Sequence, residues 1–550
     1  MRHASSRRAV WLAATALATA ALGMGSGAWA QDTSQPTPDA TFNTEDTPTS
    51  AASTEAAPTG DSARATVATA PAARPIGPVD PRDEKIYDLQ RRLEAQQAAL
   101  DQLNEQLGDL KTAMSSGFKE VRDTAAAQDR VVIAGAKPSI QSADGRFTAN
   151  LQGVMQFDAA TYFQDEVPAA QTDPRARDLN AGTNFRRARI GIGGKMFGDF
   201  NYNLLYDFGG TGSEDAGKIQ ELWLEYAGKK PFRLRVGAFP PLVGLADATS
   251  TNGMLFLERP APAEIARTLA GGDRRTGVQL AASGDKYLAA FALTGPVVST
   301  LNTAASGFNT QSFDEQLGFT GRLAYTPLKG EDWRLHVGAN ASLVSQVADA
   351  GPTATVFFPI QLRDRPELTV DATRLVDTGA IDADGAYHLG LELGLQKKQF
   401  LLEAEYFNIG IERRLSTLSN PRFNGFYVQG SWVLSKEPRK WNAETASWGA
   451  PAPAKPFDAK ANQWGAFELA ARYSVIDLND EEGDAGLATP LGGIRGGEQE
   501  IWTLGLNWYL NTAIRFMFDY QHVDIDRLNS AGLQIGQEYD AIAVRSQLAF

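Results

Sequence analysis

The sequence predicts an all-β fold, a 16-stranded antiparallel transmembrane β-barrel with an N-terminal coiled-coil helix. Three observations lead there. From about residue 140 to the end, apolar and polar side chains alternate with period two. The first thirty residues carry export features, yet no later stretch is apolar for long enough to span a bilayer as a helix. The last segment, AIAVRSQLAF, puts Ile542, Val544, Leu548 and Phe550 on one face and Arg545 and Gln547 on the other, so an oily face runs to the carboxylate.

The elements follow in chain order. Residues 1–30 have a basic start (Arg2, Arg7, Arg8), an apolar run from Val10 to Leu22 and the small-residue pattern Ala28-Trp29-Ala30, which predict a signal peptide cut after Ala30. Export with no Cys argues against disulfide frameworks and thiolate metal sites. The formal charge is −13; the signal holds three Arg and no acid, so the mature chain stands at −16 and nucleic acid is not an expected partner. Residues 31–80, rich in Pro, Ala, Thr and Asp, read as a disordered tether. Over 81–118 a heptad places Ile86, Leu93, Leu100, Leu107 and Met114 at one core position, and Leu89, Gln96, Leu103 and Leu110 at the other. A lone helix would leave that seam wet, so it implies self-association.

The barrel domain is read over 140–550. In NFRRARIGIGGK, Ala188, Ile190 and Ile192 oppose Arg187, Arg189 and Lys195; in FRLRVGAF, Phe232, Leu234 and Val236 oppose Arg233 and Arg235. A cation facing lipid at the midplane costs roughly 2 to 4 kcal/mol and little in a wet lumen, so the charged parity must face inward. Sixteen such segments leave room for water inside. Tight turns alternate with long connections, notably 240–275, 296–315, 342–384, 436–462 and 475–498, and the expected arrangement is short turns on one rim and long loops on the other. A soluble β-sandwich also alternates, but it has no use for aromatic girdles; the girdle expected here includes Tyr202, Tyr206, Trp223, Tyr226, Trp502, Trp508, Tyr509 and Tyr520.

No catalytic chemistry is legible. GIGGKMFG lacks the phosphate loop's first glycine, which stands with four residues between it and Gly-Lys and is Arg189 here, and the following Ser or Thr, which is Met196. His336, His388 and His522 are scattered singletons, there is no GxSxG elbow, and neither metal nor cofactor is expected.

Seven stretches spread through the barrel resemble the phosphate-selective porin family, porins O and P: FRRARIGIGGKMFGDFNYNLLYDF, ELWLEYAGKKPFRLRVGAF, FLERPAP, RPELTVDATRLVDTG, WGAFELAARYS, TLGLNWYLN and VRSQLAF. The resemblance implies a homotrimeric outer-membrane porin for passive diffusion, favouring small anions such as phosphate, with the tether and coiled coil in the periplasm. Its alternatives are a general or weakly cation-selective porin, or a structural barrel tethered through its coiled coil. Its partners would be membrane lipid, the barrel-assembly machinery, which would read Phe550, and small anionic or polar solutes. The anion path would include Arg186, Arg187, Arg189, Arg233 and Arg235. The connection after Pro240 would fold inward as a constriction carrying Asp247, Ser250, Thr251, Glu258, Arg259, Arg267, Arg274 and Arg275. Where the family carries basic side chains this chain has Val154, Asn201 and Asp247, and Pro240 replaces Tyr or Lys, which puts tight phosphate binding in question.

Overall fold

The computed structural model describes residues 80–126, 128–134, 136–164, 178–209, 217–272, 275–298, 314–348, 359–415 and 417–550. The expected signal peptide and, apart from Asp80, the expected tether lie outside the described residues. The chain divides into two units, residues 1–99 and 100–550.

Helix α1 (Pro81–Ala126) begins where Asp80 accepts the Arg82 amide at 2.9 Å and Pro81 takes the first helical position. It runs past the expected end at residue 118. The apolar heptad side chains, among them Leu93 and Leu107, are exposed on it. No helix among the described residues is long and apolar enough to cross a membrane.

Sixteen antiparallel strands form the wall: β1 (Thr148–Gln164), β2 (Gly182–Met196), β3 (Phe200–Asp207), β4 (Lys218–Tyr226), β5 (Phe232–Phe239), β6 (Arg275–Ser283), β7 (Tyr287–Val297) and β8 (Leu317–Lys329). They continue as β9 (Trp333–Gln346), β10 (Ala383–Lys397), β11 (Phe400–Arg413), β12 (Arg422–Val433), β13 (Ala466–Asp480), β14 (Ile494–Tyr509), β15 (Ile514–Asp526) and β16 (Glu538–Ala549). Each pairs with the next, and β16 returns to β1 from Tyr539↔Gln164 to Ala549↔Val154, closing the sheet. Closure satisfies the edge groups that lipid could not.

The alternation then sorts side chains by solvent. On β10, Leu389, Leu391, Leu393 and Leu395 face outward, with Leu391 63% exposed, while His388, Glu392 and Gln396 are buried inside. Two expected girdle aromatics belong to the other face. Trp223 shares parity with Glu221 and Glu225, and Tyr509 with Asn507; both point inward, where their polar atoms find carboxylates. The rim asymmetry also needs correction. The connection after β12 (434–465) is long although it joins strands at the short-turn rim, because its hairpin of Arg439–Asn442 and Ser447–Pro451 folds inside.

At the seam, shear leaves the start of β1 beyond the end of β16. A hairpin of Arg130–Ala134 and Lys137–Gln141 covers that overhang, pairing Ser139–Gln141 with residues 148–150. Phe550 exchanges backbone hydrogen bonds with Gly153 at 3.0 and 3.1 Å and lays its ring over the glycine, where a Cβ would sit 2.4 Å from the ring. Gly153→Val is expected to evict the ring. Overpacking of this kind costs roughly 1 to 3 kcal/mol, so the temperature of the folded-to-unfolded gel-mobility shift should fall; an unchanged temperature would show that the seat contributes nothing.

Candidate functional site: a constriction inside the barrel

The connection 240–274 leaves β5 and returns to β6, yet many of its partners lie on β11 and β13–β16, across the lumen. Its irregular, bent stretch Met254–Glu258 has no ladder partner, so wall side chains serve its backbone. Arg515 donates to the Met254 carbonyl at 2.9 Å, Asn507 to Leu255 at 2.9 Å and Arg472 to Glu258 at 3.0 Å. Arg545 donates to the Leu257 carbonyl, and the Leu257 amide donates to Asp519 at 2.8 Å. The single helical turn Leu245–Ala248 points its first amides at Glu405, at 2.8 Å each, and the helix Ala261–Thr268 begins with the Ala261 amide on Glu367, also at 2.8 Å.

Two further segments enter. From the long-loop rim, 359–382 packs inside: Asn184 donates to the Thr369 carbonyl at 2.8 Å, Arg527 to Leu375 at 2.7 Å, and Arg472 to Glu367. From the short-turn rim comes the hairpin 439–451. Arg322 holds it through the carbonyls of Thr445 (2.6 Å) and Ala446 (3.1 Å), and Ser447 donates to the Ala248 carbonyl of the constricting loop at 3.2 Å.

Glu258 is the electrostatic centre. Arg186 bonds it at 2.8 and 3.0 Å, Arg545 at 2.8 Å and Arg187 at 3.4 Å, while Arg545 also grips Asp158 at 2.6 Å. Strict alternation would turn Arg186 toward lipid. A bulge prevents this: Gln156 pairs Arg187 but Phe157 pairs Phe185, so Arg186 is the extra residue and both arginines reach inward.

The other expected site residues fall into two sets. On the wall, Arg189 is paired with Asp207 at 2.7 Å, Arg235 with Glu225 at 2.8 Å and Arg233 with Glu444 at 3.2 Å. On the loop, Asp247 is paired with Arg267, which also meets Glu264 at 3.1 Å. Arg259 donates to the carbonyls of Ala246, Asp247 and Thr249, and Arg275 to those of Thr268, Leu269, Gly271 and Gly295, so these two guanidiniums hold the loop rather than line a path. Ser250 is exposed, Thr251 accepts from Gln156 through its carbonyl at 3.3 Å, and Arg274 lies outside the described residues. Val154 and Asn201 face inward; Asn201 donates to Glu225 at 3.1 Å.

Sequence reading missed Arg363, Arg365 and Arg374 on the second infolded segment, of which Arg365 comes near Arg186 and Arg363 and Arg374 lie near one another and Arg365. The Arg365 Nε is buried with no hydrogen-bond partner among the described residues. Burial, and after it Arg365 and Arg363, pushes the Arg374 pKa below its usual value. Burial also lowers that of Arg365, with Arg186 adding to the effect and Asp364 opposing it. Sequence reading also gave no site role to the far wall, where Arg472, Arg515 and Arg545 sit at inward parity.

The family model described as phosphate-selective porin O and P matches residues 162–550. Porin O of Pseudomonas aeruginosa is 27% identical over 388 residues, 66% of this chain and 82% of that protein. Among solved structures, OmpT of Vibrio cholerae in its trimer form aligns with a TM-score of 0.41 and 10% identity over 73% of this chain and 99% of that one. An anion-selective porin from Comamonas acidovorans aligns with a TM-score of 0.42 and 13% identity over the same shares. The strand count and closure rest on the chain's own ladder.

Glu258 sits on the infolded connection, not on a spanning strand. Burial alone would raise its pKa, but Arg186, then Arg187 and Arg545, hold it well below the ordinary carboxylate range. A depressed folded-state pKa contributes stability above the unfolded value that is lost only as pH falls through the folded one. Glu258 is therefore expected to add no step to single-channel conductance between neutral pH and about 4, so Glu258→Gln and the unsubstituted protein should show the same pH-dependent shape there. A sigmoidal change centred at about 4.3 that Glu258→Gln abolishes would show that Glu258 titrates as an ordinary glutamate.

Proposed function

This chain belongs to the phosphate-selective porin O and P family and is an outer-membrane porin, and from that premise we propose that its constriction favours small anions, phosphate among them, without holding phosphate tightly. The observation that carries this reading is the charge balance around Glu258. Three guanidiniums, Arg186, Arg187 and Arg545, converge on it; Asp158, Glu264 and Asp364 add to the acid side, and Arg365, with its unpartnered Nε, and beside it Arg363 and Arg374 add to the basic side. An anion passing there meets a net positive field. At roughly 5 Å and an effective dielectric of about 20, one unpaired charge is worth about 3 kcal/mol.

The absence of tight binding follows from the pairings below. Arg189, Arg233 and Arg235 each carry a carboxylate, and two of the family's basic positions are Val154 and Asn201. Such a path speeds anions without storing them. Conduction requires sites weak enough to leave.

The functional unit in this reading is a homotrimer, with α1 packing its seam of Leu93, Leu100 and Leu107 against two copies in the periplasm. Leu, Met and Ile along the seam are exposed on the single chain, which supports self-association. The terminal strand ending at Phe550 would be what the assembly machinery reads, and membrane lipid would contact the outward rows.

The deciding experiment is the reversal potential of purified trimers in a potassium chloride gradient, with Arg365→Gln and Arg186→Gln alongside. Chloride should carry most of the current, both substitutions should move the potential toward potassium, and phosphate should reduce the current only at high concentration. Potassium-dominated current in the unsubstituted protein would overturn the anion preference.

A further inference from the structure

The barrel closes where β16 meets β1, and that ladder differs in one respect from every other ladder of the wall. The others pair strands consecutive in the chain, so a turn or connection keeps the two strands at high effective concentration. The seam has no such tether. Asp158 and Arg545, which face each other across it, stand 387 residues apart.

Two facing pairs of inward side chains cross the seam, and hydrogen bonding fixes how the first is turned. Arg187 only donates, so the Gln156 carbonyl faces it at 2.7 Å and the Gln156 NH2 turns to the Gln547 carbonyl at 2.8 Å. That leaves the Gln547 NH2 free for the constricting connection, where it meets the Asn252 carbonyl at 3.1 Å. The Gln156 NH2 also reaches the Thr251 carbonyl at 3.3 Å. One strand on each side of the seam thus holds one of two successive carbonyls. Further along, Arg545 clasps Asp158 with two bonds of 2.6 Å and gives its other N–H groups to the Leu257 carbonyl and, at 2.8 Å, to Glu258.

The connection also bonds β13, β14 and β15, through Arg472, Asn507 and Arg515. Those strands stay together without it. Residues 510–513, for example, join β14 directly to β15. At the seam the connection ties together two strands that nothing else in the nearby chain links.

We propose that the constricting connection has a second function: it staples the closing seam, holding β1 to β16 from inside the lumen. Residues 251–258 lie near the middle of the chain, 95 residues from Gln156 in the case of Thr251 and 288 from Arg545 in the case of Leu257. Docked there, they supply a link between its first and last wall strands. The narrowing of the pore and the closure of the wall are then two results of one set of hydrogen bonds. This goes beyond the anion reading and does not depend on it.

The connection can be excised, because Phe239 and Arg275 at its two ends are already ladder partners and an Asn-Gly turn can replace residues 240–274. The test compares amide hydrogen exchange, read by mass spectrometry, in the full chain and this variant, both purified in detergent micelles. Exchange along the β16–β1 ladder should accelerate by roughly tenfold or more, the scale of losing one charge-assisted hydrogen bond. The β14–β15 ladder, touched by the same connection but tethered by its own turn, should accelerate far less. Equal acceleration on both ladders would show that the connection adds only general packing and would overturn the staple, as would no change on either. Should the excised barrel not fold, Glu258→Ala makes the same comparison with the connection in place, since it frees Glu258 from Arg545 while the Arg545–Asp158 pair stays in the wall. Faster exchange at the seam than at β14–β15 is again expected, and equal exchange overturns the staple. No current is measured, so the result stands apart from whether the channel prefers anions.

Discussion

Every backbone N–H and C=O at bilayer depth must be paired within the protein, and the rest of this structure depends on how the chain meets that demand. The wall meets it by closing β16 onto β1. Once closed, each strand has one face in lipid and one in water, and a slip of one residue would carry Arg187, Arg189 and Lys195 together to the lipid side. Register is therefore held by the charges as much as by the apolar rows. The same demand reappears inside the lumen, where an infolded segment has no ladder to join. There the inward arginines, asparagines and carboxylates act as surrogate ladder partners for Met254–Glu258.

That dual use explains why so many of the lumen's charges are paired. An isolated guanidinium inside a packed constriction would be costly, and a carboxylate beside it offsets the desolvation. Pairing Arg439 with Glu468 at 2.8 Å, and Arg322 with Glu392 at 2.8 Å, positions the short-rim hairpin without leaving a field for passing ions. Selectivity can come only from imbalance. On the proposed reading the imbalance is local, at Glu258 and Arg365, and paired arginines such as Arg322 and Arg439 position the infolded segments.

How much of this was legible depends on which physical rule each feature obeys. Period two revealed sixteen strands because inward and outward solvents differ so sharply. β14 begins at Ile494, ahead of its alternating part, because residues 494–497 offer glycines in place of alternation. Trp223 and Tyr509 were misassigned by residue type when parity already set them inward. Arg186 needed the bulge at Phe157, and a bulge has no sequence signature here. The infolding of 434–465 was hidden for another reason: a long connection looks the same on either rim until strands are counted through to β12. The pairings of Arg189 with Asp207 and of Arg235 with Glu225 join acids on neighbouring strands that the sequence offers, whereas Arg233 finds Glu444 on the infolded hairpin, which alternation cannot reach.

Net charge illustrates the same limit. A chain at −13 suggests a lumen hostile to anions, yet several of its acids lie elsewhere. Glu498 and Glu500 on β14 and Asp524 and Asp526 on β15 have the outward parity of Trp502 and Phe518, near the long-loop rim. Solvent-exposed charges more than about 8 Å away are largely screened at physiological ionic strength. Those rows therefore do little to an ion beside Glu258, where buried partners within hydrogen-bond reach set the potential. Selectivity in such a barrel is a property of the few side chains an ion touches, and a whole-chain sum averages over surfaces the ion never meets.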